Sequence, residues 1–188
     1  MTLKYTDKAQ LKALDEYQVV LAQEGDRQAF ELLYRRWHPK LLRLACRLLG
    51  EPEAAQDVMQ DAAMTIAKNI SRLQDPSRFS AWAYTIVRRR VADHISKAVK
   101  TRDLKQKLIH TSIDVAGVSP DEKLTLKQGL SHLSEAEQLL LKLFYTDGLT
   151  AVEIAAAMGI PLGTVKSRLY KARQNLKSIY KMKGDQNE

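Results

Sequence analysis

The sequence predicts an all-α protein made of two small helical domains joined by a flexible linker, the second of them a helix-turn-helix. Three observations support this fold class. Gly and Pro are scarce, at 8 and 5 of 188 residues, and no stretch alternates as a half-buried strand would. Apolar residues recur at helical spacing on either side of residues 100–120, where the pattern dissolves. From Leu149 to Leu176, two apolar-faced stretches meet at a sharp turn around Gly159.

The first domain is predicted over residues 1–99. An amphipathic helix from Lys8 to Glu24 is followed by Asp26, which can cap a second helix. Pro39 is expected to end that second helix, because proline lacks an N–H and its ring clashes with the preceding turn. A third helix then runs from Leu41 to Gly50, where the glycine provides a C-terminal cap.

The rest of this domain should hold two longer helices. Pro52 suits the first turn of a helix that reaches about Ile70. Residues 71–76 read as a loop, and a long helix is expected from about Ser77 to Val99. The core face predicted for the Pro52 helix comprises Ala55, Val58, Ala62, Ile66 and Ile70.

Residues 100–120 are predicted to form the linker, since they are mixed in charge and weakly periodic. The second domain is expected over residues 121–183, with a short tail at 184–188. Two capping boxes mark helix starts there, Ser134-x-x-Glu137 and Thr150-x-x-Glu153. Each lies directly before an apolar periodic run.

The spacing of helix, glycine, short turn and helix around Gly159 is that of a helix-turn-helix. Seven cations and no acid lie between Thr164 and Lys183. The later lysines could simply balance the helix dipole, as in a plain helical hairpin, whereas the earlier cations favour DNA binding. The predicted packing pairs Val152, Ile154, Ala155, Met158 and Ile160 with Val165, Leu169 and Ala172. The predicted duplex-reading face is Thr164, Lys166, Ser167, Arg168 and Lys171.

Composition limits the possible classes of function further. The net charge of +8 points to polyanionic partners. The single cysteine, Cys46, excludes an internal disulfide and reads as a small buried residue in a reducing compartment. The four histidines are dispersed without metal-ligand spacing, and there is no phosphate-binding glycine loop, signal peptide or membrane-length apolar run. We therefore expect a cytoplasmic protein that is not an enzyme and needs no cofactor or metal.

Two sets of motifs resemble the extracytoplasmic-function sigma factors of bacterial RNA polymerase. "GTVKSRLYKAR" (163–173), preceded by "LSEAEQLLLKLFYTDGLTAVEIAAAMGIP", is similar to their carboxyl-terminal domain. "FELLYRRWHPKLLRLACRLLGEPEAAQDVMQDA" (30–62) and "FSAWAYTIVRRRVADHISK" (79–97) are similar to their first domain. The resemblance implies that the first domain binds core polymerase and opens the minus-ten element. The second domain would read the minus-thirty-five element as duplex.

The resemblance also implies site residues in the first domain. The polymerase-binding stripe would be Asp57, Gln60, Asp61 and Met64, at helical spacing opposite the core face. The residues expected to contact minus-ten DNA are Arg72, Gln74, Ser77, Arg78, Arg88, Arg89, Arg90 and Lys97. Three positions depart from the family pattern. Ala63 and Ala67 replace usual aromatic residues and Arg89 a usual Asn, which puts in doubt the local packing and the promoter preference.

The partners implied are core RNA polymerase, promoter DNA as duplex and as melted non-template strand, and an anti-sigma factor, with no membrane insertion. The alternative is a conventional helix-turn-helix regulator that acts without being a polymerase subunit. Such a regulator would carry a ligand pocket, a phosphoacceptor or a dimerising helix, and none is evident in residues 1–99. A third reading, a helical nucleic-acid enzyme, lacks any candidate site.

Overall fold

The computed structural model describes the backbone of residues 5–102 and 133–184, and the side chains within 9–99 and 133–175. All regular elements in these ranges are helical. The chain divides into two compact units, Met1–Ile109 and His110–Glu188. The predicted linker and tail lie almost wholly outside the described residues.

The first unit begins with α1 (Tyr5–Gln23) and α2 (Arg27–Leu49). As predicted, Asp26 caps α2: its Oδ1 accepts hydrogen bonds from the N–H groups of Gln28 and Ala29, at 2.8 and 3.0 Å. Gly50 ends the helix at φ 72°, in the left-handed region that favours glycine, and its N–H donates to the Cys46 carbonyl at 2.8 Å.

Pro39 lies inside α2 and does not end it, so the prediction of two separate helices here was wrong. An internal proline costs about 3 kcal/mol through its lost hydrogen bond and its clash with the preceding turn. The apolar face nevertheless continues across it, because Leu33 and Trp37 before it and Leu41 after it are all buried. Burial of each large side chain contributes about 1.5–3 kcal/mol, which offsets that cost. Pro39 and Arg35, one turn earlier, are both exposed, so water can reach the unpaired carbonyl.

The second half of the unit follows the prediction closely. Helix α3 spans Pro52–Asn69 and buries Met59 and every residue of the predicted face except Ile70, which is buried just beyond the end of the helix. Two short 3-10 turns, Ile70–Arg72 and Pro76–Arg78, lead into α4, Phe79–Arg102.

Aromatic side chains join α2 to α4 in the core of this unit. Trp37 meets Phe79 and Tyr84 edge to face, with ring centroids 5.8 and 6.1 Å apart. Phe79 is therefore a core residue, as expected, and Trp82 is half-buried beside it.

The described part of the second unit contains α5 (Glu135–Leu141), α6 (Ala151–Met158) and α7 (Leu162–Gly184). Both predicted capping boxes are present, at Ser134 before α5 and at Thr150 before α6. After α5 the chain makes a π-helical turn over Lys142–Thr146, which the sequence did not indicate.

The turn between α6 and α7 has the form expected of a helix-turn-helix. Gly159 caps α6 at φ 69°, and its N–H donates to the Ala155 carbonyl at 2.9 Å. Ile154 is buried, as predicted, but Val152 is 54% exposed and Ala157 takes the expected place in the core. Val152 lies two positions before Ile154, roughly 200° away around the helix, so the two cannot share one face. On α7 the predicted core residues Val165, Leu169 and Ala172 are all buried.

Candidate nucleic-acid and protein interfaces

The amino-terminal half of α7 presents a cationic face. Lys166, Ser167 and Lys171 are exposed, whereas Thr164 and Arg168 are half-buried. The Ser167 hydroxyl donates to the Thr164 carbonyl at 3.1 Å, within its own helix. The buried residues of α7 recur at i, i+4 and i+7. Ser167 lies opposite them with Lys171 beside it, and Lys166 and Arg168 lie towards the two edges of the exposed surface. This face can meet a polyanion over two helical turns.

An acid of α5 lies within the electrostatic reach of this face. Hydrogen bonds from Ser134 lower the pKa of Glu137, and the nearby charges of Lys171 and Arg168 lower it further. Glu137 is held in its capping box, with Oε2 accepting from the Ser134 N–H at 3.0 Å. The carboxylate is therefore fixed at the start of α5.

Arg173 is a basic side chain of α7 that the predicted site omitted. Its Nε donates to the Tyr145 hydroxyl at 2.8 Å, and its guanidinium lies 5.1 Å from the Phe144 ring centroid. The contact joins α7 to the π-helical turn. Sequence periodicity could not reveal it, because the partners are 28 residues apart.

The predicted polymerase-binding stripe on α3 is exposed along its length. Asp57, Gln60, Asp61 and Met64 all lie on the side opposite the buried face, and Met64 is 49% exposed. An apolar side chain flanked by carboxylates suits a basic partner with an apolar contact surface better than it suits DNA.

The loop between α3 and α4 presents four of the predicted minus-ten residues to solvent. Arg72, Gln74, Ser77 and Arg78 are all exposed. Asp75, which sequence reasoning missed, closes the second half of this loop. Its Oδ1 accepts from the Ser77 N–H at 2.9 Å, and its Oδ2 pairs with Arg78 Nε at 3.2 Å.

Hydrogen bonds from Ser77 lower the pKa of Asp75, and Arg78 lowers it further. Because the folded-state pKa lies below the ordinary value, protonation opens this closure only at acid pH, as the pH falls through that lowered pKa. The Asp75 carboxylate therefore stays charged throughout the neutral range.

The three consecutive arginines of α4 differ in their surroundings. Arg89 is exposed and Arg88 is half-buried. Arg90 donates from Nε and Nη2 to the Thr65 hydroxyl of α3, at 3.2 and 2.9 Å, and from Nη1 to Asp93 at 3.4 Å. Successive residues on a helix point about 100° apart, so the three side chains do not share one face. Lys97, about two helical turns further on, is exposed.

The described residues give little support for a metal site or a membrane-spanning helix. Within 9–99 and 133–175, no group of three or more His, Cys, Asp or Glu side chains could hold a metal ion. None of the helices described is long and apolar enough to cross a membrane. Cys46 is half-buried, not buried as the sequence suggested.

Two family models match the chain in succession. Sigma-70 region 2 matches residues 33–101, and sigma-70 region 4 matches residues 123–176. The first contains α3, the loop and most of α4, and the second contains the helix-turn-helix.

Whole-chain comparisons agree with these models. The chain is 27% identical to the ECF RNA polymerase sigma factor SigW of Bacillus subtilis, over 82% of this chain and 90% of the relative. It is also 27% identical to the ECF RNA polymerase sigma-E factor of Escherichia coli, over 85% and 91%. The RNA polymerase sigma-H factor of Pseudomonas aeruginosa is 28% identical, over 85% and 90%.

Solved structures show the same fold. CnrH, in complex with the cytosolic domain of CnrY, matches with a TM-score of 0.58 and 21% identity, over 90% of this chain and 98% of that one. The sigma factor RpoE of Bartonella quintana, in complex with the anti-sigma factor NepR, also gives 0.58, with 24% identity over 81% and 96%. With both sigma-70 regions in one chain and relatives aligned over most of their length, this protein belongs to the extracytoplasmic-function sigma factors of RNA polymerase.

Proposed function

We propose that this protein binds core RNA polymerase and directs promoter-specific transcription initiation, with the work divided between its two units. The observation that carries the proposal is the succession of sigma-70 regions 2 and 4 in a single chain. A conventional regulator needs a DNA-binding unit but not region 2. Initiation is a binding function, and the protein works in the cytoplasm, where polymerase and promoters are found.

The predicted first domain, residues 1–99 of the first unit, is assigned polymerase binding and minus-ten opening. The stripe Asp57, Gln60, Asp61 and Met64 supports the first role, since it is acidic and exposed in a chain whose net charge is +8. The loop from Arg72 to Arg78 supports the second role, because hydrogen-bonding side chains that face solvent can read the edge of an unstacked base. Arg89 and Lys97 are exposed on the helix that follows and can contact phosphates.

The predicted second domain, residues 121–183 of the second unit, is assigned reading of the minus-thirty-five element as duplex, with residues 100–120 as the linker. Its recognition helix is α7, whose first turns carry Lys166, Arg168 and Lys171. Base edges in the major groove are read best from the amino-terminal turns of such a helix. An anti-sigma factor is a further expected partner, as in the complex of the sigma factor RpoE with the anti-sigma factor NepR.

The test is co-purification of the protein with core polymerase, followed by run-off transcription from promoters selected from a random library. We expect a stoichiometric complex and transcripts that depend on both promoter elements. The decisive control is the same library bound without polymerase. Duplex binding of equal sequence preference, with no polymerase complex and no transcript, would favour the conventional regulator.

A further inference from the structure

Helix α1 packs against both short turns that flank the loop assigned to base reading, Ile70–Arg72 and Pro76–Arg78. This helix ends at Gln23, ten residues before the region 2 match begins. It therefore contacts the loop from outside the segment that the family model recognises.

Gln23 connects α1 to the first half of the loop through its side-chain amide. Its Nε2 donates to the Ile70 carbonyl at 2.9 Å and to the Leu73 carbonyl at 2.7 Å. An amide nitrogen has two hydrogens, and a carbonyl can only accept, so these two partners fix the orientation of the side chain. The Ile70 carbonyl also accepts from the Leu73 N–H at 3.1 Å. The backbone on both sides of Arg72 is thus held to one side chain.

The loop therefore has two independent closures. Gln23 holds residues 70–73, and Asp75 holds Ser77 and Arg78. Gln74 lies between them, exposed. A loop held in this way needs little further ordering when it binds. Because a rigid loop cannot re-pack around an incorrect base as a flexible one can, it also discriminates better between bases.

We propose that Gln23 is a positioning residue for base reading: by fixing the carbonyls of Ile70 and Leu73, it sets the geometry in which Arg72 and Gln74 meet the unpaired base. The inference rests on the proposed function of the loop. It adds a residue of α1 to the determinants of minus-ten specificity, although that residue touches no DNA itself.

The test compares holoenzymes on promoters that carry each of the four bases at every melted non-template position. Open complexes are measured by permanganate footprinting and by run-off transcription. Gln23→Met keeps the length of the side chain and removes both donors. We expect its discrimination between best and worst base to fall by about five- to thirtyfold, the factor set by one or two ordinary hydrogen bonds. Polymerase affinity should be unchanged.

Two further variants make the readout specific to hydrogen bonding. Gln23→Lys restores donors and should recover part of the discrimination. Gln23→Glu keeps the shape but turns an acceptor towards two carbonyl oxygens, so it should lose discrimination as Gln23→Met does. Gln10→Met is the matched control, since Gln10 is an exposed glutamine of the same helix, and it should behave as wild type.

The outcomes separate this inference from the proposed function. A wild-type holoenzyme that opens no promoter overturns the proposed function and the inference with it. A wild-type holoenzyme that discriminates, alongside a Gln23→Met holoenzyme that discriminates equally well, overturns the inference alone. Lower thermal stability with unchanged base preference would show that Gln23 only supports the fold. Loss of discrimination without recovery in Gln23→Lys would contradict the hydrogen-bond mechanism.

Discussion

The Thr65 hydroxyl accepts hydrogen bonds from both Nε and Nη2 of Arg90, at 3.2 and 2.9 Å. The same hydroxyl donates to the Asp61 carbonyl at 2.8 Å, so its hydrogen and its lone pairs are all in use. This contact joins α3, which carries the acidic stripe, to α4, which carries the arginines. Arg90 therefore links α4 to α3 within the first unit, in addition to the DNA contact assigned to it.

Replacing Thr65 with Val should lower the free energy of unfolding by about 1 kcal/mol, since the shape is kept and the acceptor for Arg90 is lost. The value is modest because the Arg90 side chain is 39% exposed. Urea denaturation measures it as a shift in midpoint at constant m. Thr85→Val is the matched control, because the only hydrogen bond of the Thr85 hydroxyl given by the structure goes to the Ala81 carbonyl of its own helix. Equal losses of unfolding free energy in Thr65→Val and Thr85→Val would mean that the hydrogen bonds from Arg90 to Thr65 do not stabilise the protein.

The acidic stripe gives the second prediction. Asp57→Arg with Asp61→Arg should leave the melting temperature nearly unchanged, because surface substitutions usually alter stability within about 0.5 kcal/mol. Affinity for core polymerase, measured by pull-down and by competition, should fall sharply. The control is Glu24→Arg with Glu51→Arg, which makes the same change in charge at exposed residues outside the stripe. Equal affinity in the two double variants would remove this face of α3 from the interface.

Local signals in the sequence predicted the helix boundaries well. Asp26, Ser134 and Thr150 cap helices as expected, and Gly50 and Gly159 end them. Each of these signals acts through backbone groups within four residues, so it can be read without knowledge of the fold.

Predictions from the sequence failed where contacts between distant parts of the chain determine the structure. Pro39 would end an isolated helix, but burial of the face that runs from Leu33 to Leu41 keeps α2 continuous. The contacts of Gln23 with Leu73, and of Arg90 with Thr65, join residues 50 and 25 positions apart. Periodicity places residues on faces but does not pair side chains on different helices. The sequence predicted the exposure of most site residues, but it did not predict that Arg88, Arg90 and Arg168 are half-buried, nor the contacts that hold the sites.

The recognition helix gives the third prediction. Arg168→Ala in the full chain should weaken binding to the preferred minus-thirty-five duplex by about 1–3 kcal/mol and relax preference at one base pair. Lys171→Ala should instead weaken all sequences alike and reduce the salt slope by about 1. Fluorescence anisotropy over a salt series distinguishes the two effects. Gln174→Ala, an exposed change on the same helix, is the control. If Arg168→Ala binds with unaltered affinity and preference, the face is misassigned.

The ion pair between Asp15 and Arg36 gives the fourth prediction. Asp15 is 9% exposed, and Arg36 binds both Asp15 and Gln18, the latter at 2.9 Å. Arg36→Met removes the ion-pair partner of a largely buried carboxylate and leaves the smaller effect of the Lys40 charge, so the free energy of unfolding should fall by at most about 3–5 kcal/mol at neutral pH. Adding Asp15→Leu should restore most of that loss. Thermal and urea unfolding measure both variants.

The pH dependence of this pair has a definite sign. Burial raises the pKa of Asp15, against the opposing charges of Arg36 and Lys40. A carboxyl group whose pKa is higher in the folded state stabilises the fold below its unfolded value, and that contribution is lost as pH rises through the folded value. Removing Arg36 should raise this pKa further, so Arg36→Met should gain stability, relative to wild type, as pH falls from 7 to 5. A loss of stability in Arg36→Met, relative to wild type, that stays the same from pH 7 to pH 5 would contradict this account.

The last prediction separates a protein that opens DNA from one that only reads duplex. Extruding a base from the stack costs a few kcal/mol. A surface that reads an unpaired base is therefore useful only where phosphate contacts and polymerase offset that cost. The exposed loop residues Arg72, Gln74 and Ser77, followed on α4 by the exposed Arg89, provide a base-reading part and a backbone-holding part. The holoenzyme should consequently prefer single-stranded non-template minus-ten DNA to the same sequence as duplex.

Substitutions in the base-reading loop and substitutions of the arginines on α4 should have different effects. Gln74→Met or Ser77→Ala should change which base is preferred, whereas Arg89→Ala should lower affinity whatever the base and flatten the salt dependence. Arg90→Ala should weaken strand binding less than Arg89→Ala does, because Arg90 is already hydrogen-bonded to Thr65. For the same reason, Arg90→Ala should lower the stability of the fold more than Arg89→Ala does. Oligonucleotides varied one position at a time, read by fluorescence anisotropy, and permanganate footprinting of the promoter provide the measurements. Equal binding of duplex and single strand, with no base made reactive in the promoter, would exclude strand opening by this loop, because a loop that captures an unpaired base must leave that base unstacked.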